Sequence, residues 1–253
     1  MRRTRVIPIL LLQGKSLVKT SKFQDPSYVG DPINTVKIFN DKEVDEIIVL
    51  DITATEEGRP PDLAFLGDFA SECFMPLCYG GGIRHIQDIE AIFKVGAEKV
   101  SINTSAIENP NLIQEAIRIF GSQSIIVSID VKKYPMQSYR VVRTSGKIRK
   151  TEFQPVEFAR KMEELGAGEI LINSVDRDGT ASGYDLDLIH DVADAVSVPV
   201  IACGGAGSVD DFILAAEAGA SAVSGGRIFV YYGKRKAVLI NYPDPKLLEN
   251  LLP

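Results

Sequence analysis

Asp130 follows the apolar run Ile126-Val127-Ser128-Ile129, and a carboxylate at the end of a buried strand is suited to general acid–base work. Two glycine clusters, Gly80-Gly81-Gly82 and Gly204-Gly205-Ala206-Gly207, each follow an apolar run and precede a segment with helical spacing. At such turns backbone N–H groups can approach an anion closely and the helix dipole assists, so each cluster reads as a phosphate cradle. The next apolar run after each ends in small residues, Asn103-Thr104 in one case and Gly225-Gly226 in the other. The alternative is tight strand-to-helix packing with no ligand.

These features are duplicated. Met75–Gly82 lies 123 residues before Val198–Gly205, and Glu46-Ile47-Ile48-Val49 recurs at the same offset as Glu169-Ile170-Leu171-Ile172. Gly96-Ala97 through Val100-Ser101 recurs as Gly219-Ala220 through Val223-Ser224. After a small indel, Ile7–Leu12 answers Ile126–Val131, which pairs Leu11 with Asp130. The two halves, approximately 1–123 and 124–230, therefore differ where a carboxylate would do chemistry.

The elements that must hold these residues alternate. Apolar runs at Val6–Leu12, Ile47–Asp51, Pro76–Tyr79, Lys99–Ile102, Ile125–Asp130, Glu169–Ile172, Pro199–Ala202 and Ala222–Ser224 read as eight strands. Between them, Gln87–Val95, Asn111–Phe120, Pro155–Leu165 and Val209–Ala218 have helical spacing, with Asp88, Asn111 or Asp210 as N-caps or first-turn residues. Strands apolar enough to be buried on both faces, alternating with helices, predict an α/β fold, a single parallel (β/α)8 TIM barrel over 1–253. Two polar stretches, Gln13–Pro32 and Lys132–Phe153, follow the first and fifth strands. They read as substrate-covering loops on the C-terminal face, or as plain surface loops with a small hairpin.

The net charge of −6 disfavours nucleic acid as a partner, although local basic pockets are compatible with it. Cys73, Cys78 and Cys203 have no metal or disulfide spacing and only two histidines are present, so neither a metal nor a cofactor is expected. A reducing cytoplasm fits. Met1-Arg2-Arg3-Thr4-Arg5 before an apolar run resembles a short secretory signal, but Pro8 interrupts the run and no small-residue cleavage site follows, which favours a first strand. No stretch reaches the roughly 18 apolar residues of a membrane span.

Asp51-Ile52-Thr53-Ala54, Gly80-Gly81-Gly82-Ile83-Arg84, Lys99-Val100-Ser101-Ile102-Asn103, Asp176-Arg177-Asp178-Gly179-Thr180 and Gly204-Gly205-Ala206-Gly207 together resemble the cyclase subunit of imidazole glycerol phosphate synthase, over residues 1 to about 230. The resemblance implies a barrel that docks a glutaminase on its N-terminal face as a heterodimer. Ammonia then passes along the axis to a substrate carrying a phosphate at each end. It implies phosphate contacts at Gly82, Asn103 and Thr104, and at Asp178, Gly179, Gly205 and Gly226, with Arg227 able to bind phosphate where a serine is usual. It also implies a substrate-loop lysine at Lys19, and an ammonia gate of Arg5, Glu46, Lys99 and Glu169. Asp130 matches one of two catalytic aspartates; Leu11 stands at the other. Asn173 and Cys203 also depart from the family pattern, as does the tail 231–253.

A leucine moves no protons, so the resemblance points to a diverged paralogue that supplies ammonia to another acceptor. Similar paralogues accompany sugar amidotransferases in surface-polysaccharide synthesis. Three alternatives stay open. One is a slow cyclase of histidine biosynthesis relying on Asp130, another a phosphoribosyl isomerase acting alone, and the third a non-catalytic glutaminase activator that binds a phosphorylated ligand.

Overall fold

The computed structural model describes residues 4–233 and 235–252. Met1, Arg2 and Arg3 of the basic N-terminal run, and Lys234 of the tail, lie outside the described residues.

Eight strands pair in parallel around a closed ring: β1 (Arg5–Gln13), β2 (Ile47–Asp51), β3 (Leu77–Gly80), β4 (Lys99–Ile102), β5 (Ile125–Tyr134), β6 (Glu169–Ser174), β7 (Val200–Cys203) and β8 (Ala222–Gly225). The ring passes from β5 through β6, β7 and β8 and closes by pairing Arg5–Pro8 of β1 with Ala222–Gly225 of β8. The longer helices are α1 (Pro32–Asp41), α2 (Leu63–Ser71), α3 (Ile86–Lys94), α4 (Asn111–Phe120), α5 (Pro155–Glu164), α6 (Leu186–Ala193), α7 (Val209–Glu217) and α8 (Pro245–Leu251), and a short helix, Thr104–Glu108, follows β4 with Asn103 as its N-cap. This is the expected (β/α)8 barrel, with helix ends within a residue of those read from periodicity.

Local chemistry sets the helix starts. Asp31 accepts from the Asn34 N–H at 2.8 Å, and Pro32 occupies the first turn of α1, where its missing N–H costs nothing. Before α3 and α7, His85 with Asp88 and Ser208 with Asp211 form reciprocal capping boxes. Asp88 and Asp210 are thus first-turn residues rather than caps.

The alternation of strand side chains divides the core in two. One face packs against the helices. The other forms a separate interior cluster of Ile7, Ile9, Ile48, Cys78, Ile126, Leu171, Ile201, Cys203 and Ala222, from every strand except β4. No helix among the described residues is long and apolar enough to cross a membrane.

Both polar stretches contain β-structure rather than open loop. Ser16–Ser21 runs antiparallel to the end of β1, pairing Leu11 with Val18, and Gln24–Gly30 pairs with it in turn. Likewise Ser138–Arg143 pairs with the overhanging end of β5, and Arg149–Lys150 adds a further short strand. The tail forms a one-turn helix (Arg227–Val230), a ribbon of Tyr231–Tyr232 with Ala237–Val238, and α8. Tyr242 anchors it: the ring stacks on Phe229 at 5.6 Å, and the hydroxyl donates to the Val6 carbonyl at 3.0 Å.

Candidate active site

Interior positions change character along the axis. At the N-terminal ends, Arg5 of β1 and Lys99 of β4 each bridge both Glu46, just before β2, and Glu169 of β6. Arg5 reaches Glu46 at 2.5 Å and also pairs with Glu169; Lys99 reaches Glu46 at 3.0 Å and Glu169 at 2.6 Å. The structure brings the four predicted gate residues into one ring. Burial alone would pull the Arg5 and Lys99 pKa values down, but the two carboxylates outweigh it and raise both. Burial likewise opposes ionisation of Glu169, yet the two cations hold its pKa below the ordinary value. Above the ring, Ile7, Ile48, Cys78, Ile126, Leu171, Ile201 and Ala222 form an uncharged layer.

At the C-terminal ends a cavity of about 320 Å³ opens. Asp130, Asn173 and Cys203 lie side by side on β5, β6 and β7. The Asp130 carboxylate accepts from Thr144 Oγ1 at 2.9 Å, Asn103 Nδ2 at 3.1 Å and Asn173 Nδ2 at 3.1 Å. Burial pushes its pKa up to about 6. The three donors pull against that shift, and the Asp178 charge adds to it. A carboxyl near neutrality both accepts and donates protons readily.

Leu11 lines the same cavity and pairs in register with Leu50 of β2. With Ile9 and Leu50 it makes that side of the wall apolar. The ribbons at residues 16–30 and 132–150 form two arms over this end; Lys19, on the first arm, is buried and grips Asp178 at 3.1 and 3.2 Å, so that arm is tied to the loop after β6.

Gly82, Asn103, Thr104, Asp178 and Gly226 all line the cavity. Gly82 has φ +71°, and a Cβ there would lie 2.8 Å from the Arg59 carbonyl, so this turn requires glycine. Gly179, Gly205 and Arg227 do not line the cavity. Arg227 donates to the Gly179 carbonyl at 2.8 Å, while Gly205 packs against Gly183. The second-half residues therefore split between the cavity wall and a cluster beside it. Among the described residues, no group of three or more His, Cys, Asp or Glu is placed to hold a metal.

Sequence reasoning missed Thr144, which reaches Asp130 only because Ser138–Arg143 folds back on β5. It also missed Ser101 and Ser128, whose inward placement follows from the period-2 pattern that places Lys99 and Asp130 on the same strands.

Comparisons with known proteins identify the family. The family model described as "Histidine biosynthesis protein" matches residues 5–236. Two similar proteins carry the name "Putative imidazole glycerol phosphate synthase subunit". One is hisF2 of Pseudomonas aeruginosa, 50% identical over 98% of both chains. The other is hisF3 of Vibrio vulnificus, 47% identical over 97% of this chain and 95% of its own. The imidazole glycerol phosphate synthase subunit HisF of Alkaliphilus metalliredigens is 46% identical over 82% of both chains. The chain belongs to the histidine-biosynthesis family of barrels, among its HisF-like members.

Proposed function

We propose that this barrel is the synthase-side subunit of a glutamine amidotransferase, receiving ammonia from a glutaminase docked on its N-terminal face. Ammonia then passes to an acceptor other than the cyclase substrate, such as a sugar undergoing amidination by a partner enzyme. The observation that carries this reading is the combination of an intact four-charge ring at one end with Leu11 facing Asp130's cavity at the other. An uncharged interior layer above the ring suits a neutral molecule, because a bare charge placed there would have no partner. Five of the eight residues read as phosphate contacts line the cavity, which supports an anionic ligand in it.

The test combines the chain, its glutaminase, glutamine and the cyclase substrate. Glutamine hydrolysis without rapid formation of imidazole glycerol phosphate supports the reading; rapid ammonia-dependent turnover overturns it. A second reading, slow cyclisation with Asp130 as the main proton carrier, is favoured by that residue's pKa near 6. Losing one of two proton-transfer groups costs about 10²–10⁴ in rate, so Leu11→Asp should then raise turnover markedly. No response would remove this second reading.

A further inference from the structure

The segment from Lys132 to Lys150 contains seven lysines and arginines and no acid, so the remaining 234 residues carry −13 of a chain whose total is −6. The structure folds this segment into the second arm, at the cavity mouth, where Thr144, Ser145 and Gly146 line the wall. Three of the cations are engaged locally. Lys132 pairs with Asp176 at 3.3 Å, Arg143 pairs with Glu108, and Arg140 donates to the Tyr139 carbonyl at 2.7 Å. The other four, Lys133, Lys147, Arg149 and Lys150, are exposed and meet no carboxylate within ion-pair distance among the described residues. Such a one-signed surface on an otherwise acidic molecule has no carboxylates of its own to balance it.

We propose that this ribbon is a docking site for an acidic segment of a partner protein, namely the enzyme that presents the ammonia acceptor at the C-terminal mouth. The inference rests on the amidotransferase reading above and adds to it a surface and a partner chemistry. Three observations favour a polypeptide. Arg149–Lys150 is the last strand of its sheet, so its outer backbone groups can add an extended strand while the flanking cations match acidic side chains. Met136, at the tip of the arm, is 97% exposed beside these charges, and methionine, like Arg149, belongs to the residue types enriched at protein interfaces. Stacking of single-stranded bases would need free aromatic faces, but Lys133 lies 4.9 Å over the Tyr139 ring and Lys150 lies 4.8 Å over Tyr134. The negative charge elsewhere would repel an acidic partner and so confine it to this lip. The charged gate lies at the opposite end of the barrel, so both ends can be occupied at once.

The probe is a synthetic oligoglutamate peptide titrated into the full chain, read by fluorescence anisotropy and by hydrogen exchange of the arm. We expect saturable binding that weakens with salt, protects backbone amides near Arg149 and Lys150, and falls roughly tenfold or more in K147E/R149E/K150E. The single variant R149Q, which disturbs the fold less, should lose affinity in the same direction. Each variant should keep the wild-type unfolding midpoint. Binding that ignores these substitutions overturns the proposal. So does displacement of the peptide by oligouridylate or by inorganic pyrophosphate at equal concentration, which would assign the lip to RNA or to small phosphate-bearing ligands. Rapid cyclase turnover with peptide binding intact would refute the divergent-acceptor reading and leave the docking surface standing. Absent peptide binding without cyclase turnover would refute the docking surface alone.

Discussion

Replacing Asp130 by asparagine should stabilise the barrel at neutral pH and lose that advantage in acid. The carboxyl titrates near 6 in the folded chain against 3.8 as its ordinary value. Between those values the folded state binds more protons than the unfolded state, so the residue's contribution to stability falls as pH rises through that window and is constant outside it. At 1.36 kcal/mol per unit, the carboxylate costs about 3 kcal/mol once fully ionised. Asn has nearly the same shape and no charge to desolvate. Its drawback is that one acceptor oxygen becomes an N–H facing a donor. Here Asn173 offers a remedy: its Oδ1 is buried without a partner among the described residues, so turning that amide over supplies an acceptor for the new N–H. Allowing about 1 kcal/mol for weakened hydrogen bonds leaves an expected gain of about 2 kcal/mol near pH 7.5, shrinking to nothing near pH 4. Urea unfolding of both proteins at steps across this range measures the difference. A difference that stays flat with pH would refute the buried-carboxylate argument. Thr144 gives an internal check, because its hydroxyl favours the ionised form. Thr144→Val should move the Asp130 titration, followed by carboxyl ¹³C NMR, above 6, and Thr144→Ser should restore it.

Perturbations at three further residues, Lys99, Glu169 and Tyr242, probe the N-terminal end of the barrel and the tail packed against it. Lys99→Met leaves Glu46 and Glu169 with Arg5 as their one cation among the described residues, and should cost about 3 kcal/mol in urea unfolding; no loss would mean that the ring is effectively solvated. Because Glu169 is held below its ordinary pKa, its contribution is present above that value and lost as pH falls through the lower folded one, so Glu169→Gln should flatten the acid limb of the stability curve. Tyr242→Phe should cost about 1 kcal/mol by removing the bond to the Val6 carbonyl, whereas Tyr242→Ala should cost about 3–5 kcal/mol by also emptying the stack on Phe229. Equal losses would show that the ring packing contributes nothing.

The barrel itself was legible because its strands are buried on both faces and therefore read as short continuous apolar runs, which a parallel sheet requires. The contrast of Leu11 with Asp130 was legible because a fixed offset aligns the two halves. The arms were not. Gln24–Gly30 is largely exposed and contains Pro26, so it carries no alternating stripe; it forms because Ser16–Ser21 extends the free edge of β1 and offers it a partner. For the same reason the partners of the site residues stayed hidden. Thr144 meets Asp130 across a chain reversal, and Lys19 meets Asp178 across 159 positions of sequence. Neither pair has a spacing that composition or periodicity could mark.

The chemical division of the cavity narrows what a single carboxyl can be asked to do. Asp130 and its three donors come from β5, β6, the end of β4 and the second arm, whereas Leu11, Ile9 and Leu50 present hydrocarbon from β1 and β2. A ring closure that removes a proton at one place and delivers one at another needs proton carriers on two sides of its substrate. Transfer of ammonia to an activated carbon needs less: one group must take a proton from the attacking nitrogen, and that group can return it to the departing oxygen. Were the proposed acceptor, presented by its partner enzyme, to react inside this cavity, a carboxyl poised near 6 would suit both halves of that exchange, and the hydrocarbon opposite it would keep water from competing with ammonia. On this argument Leu11 does more than remove an acid. If so, Leu11→Asn, which restores polarity without a proton carrier, should increase hydrolysis of the acceptor relative to its amination, whereas Leu11→Ile should leave the ratio unchanged.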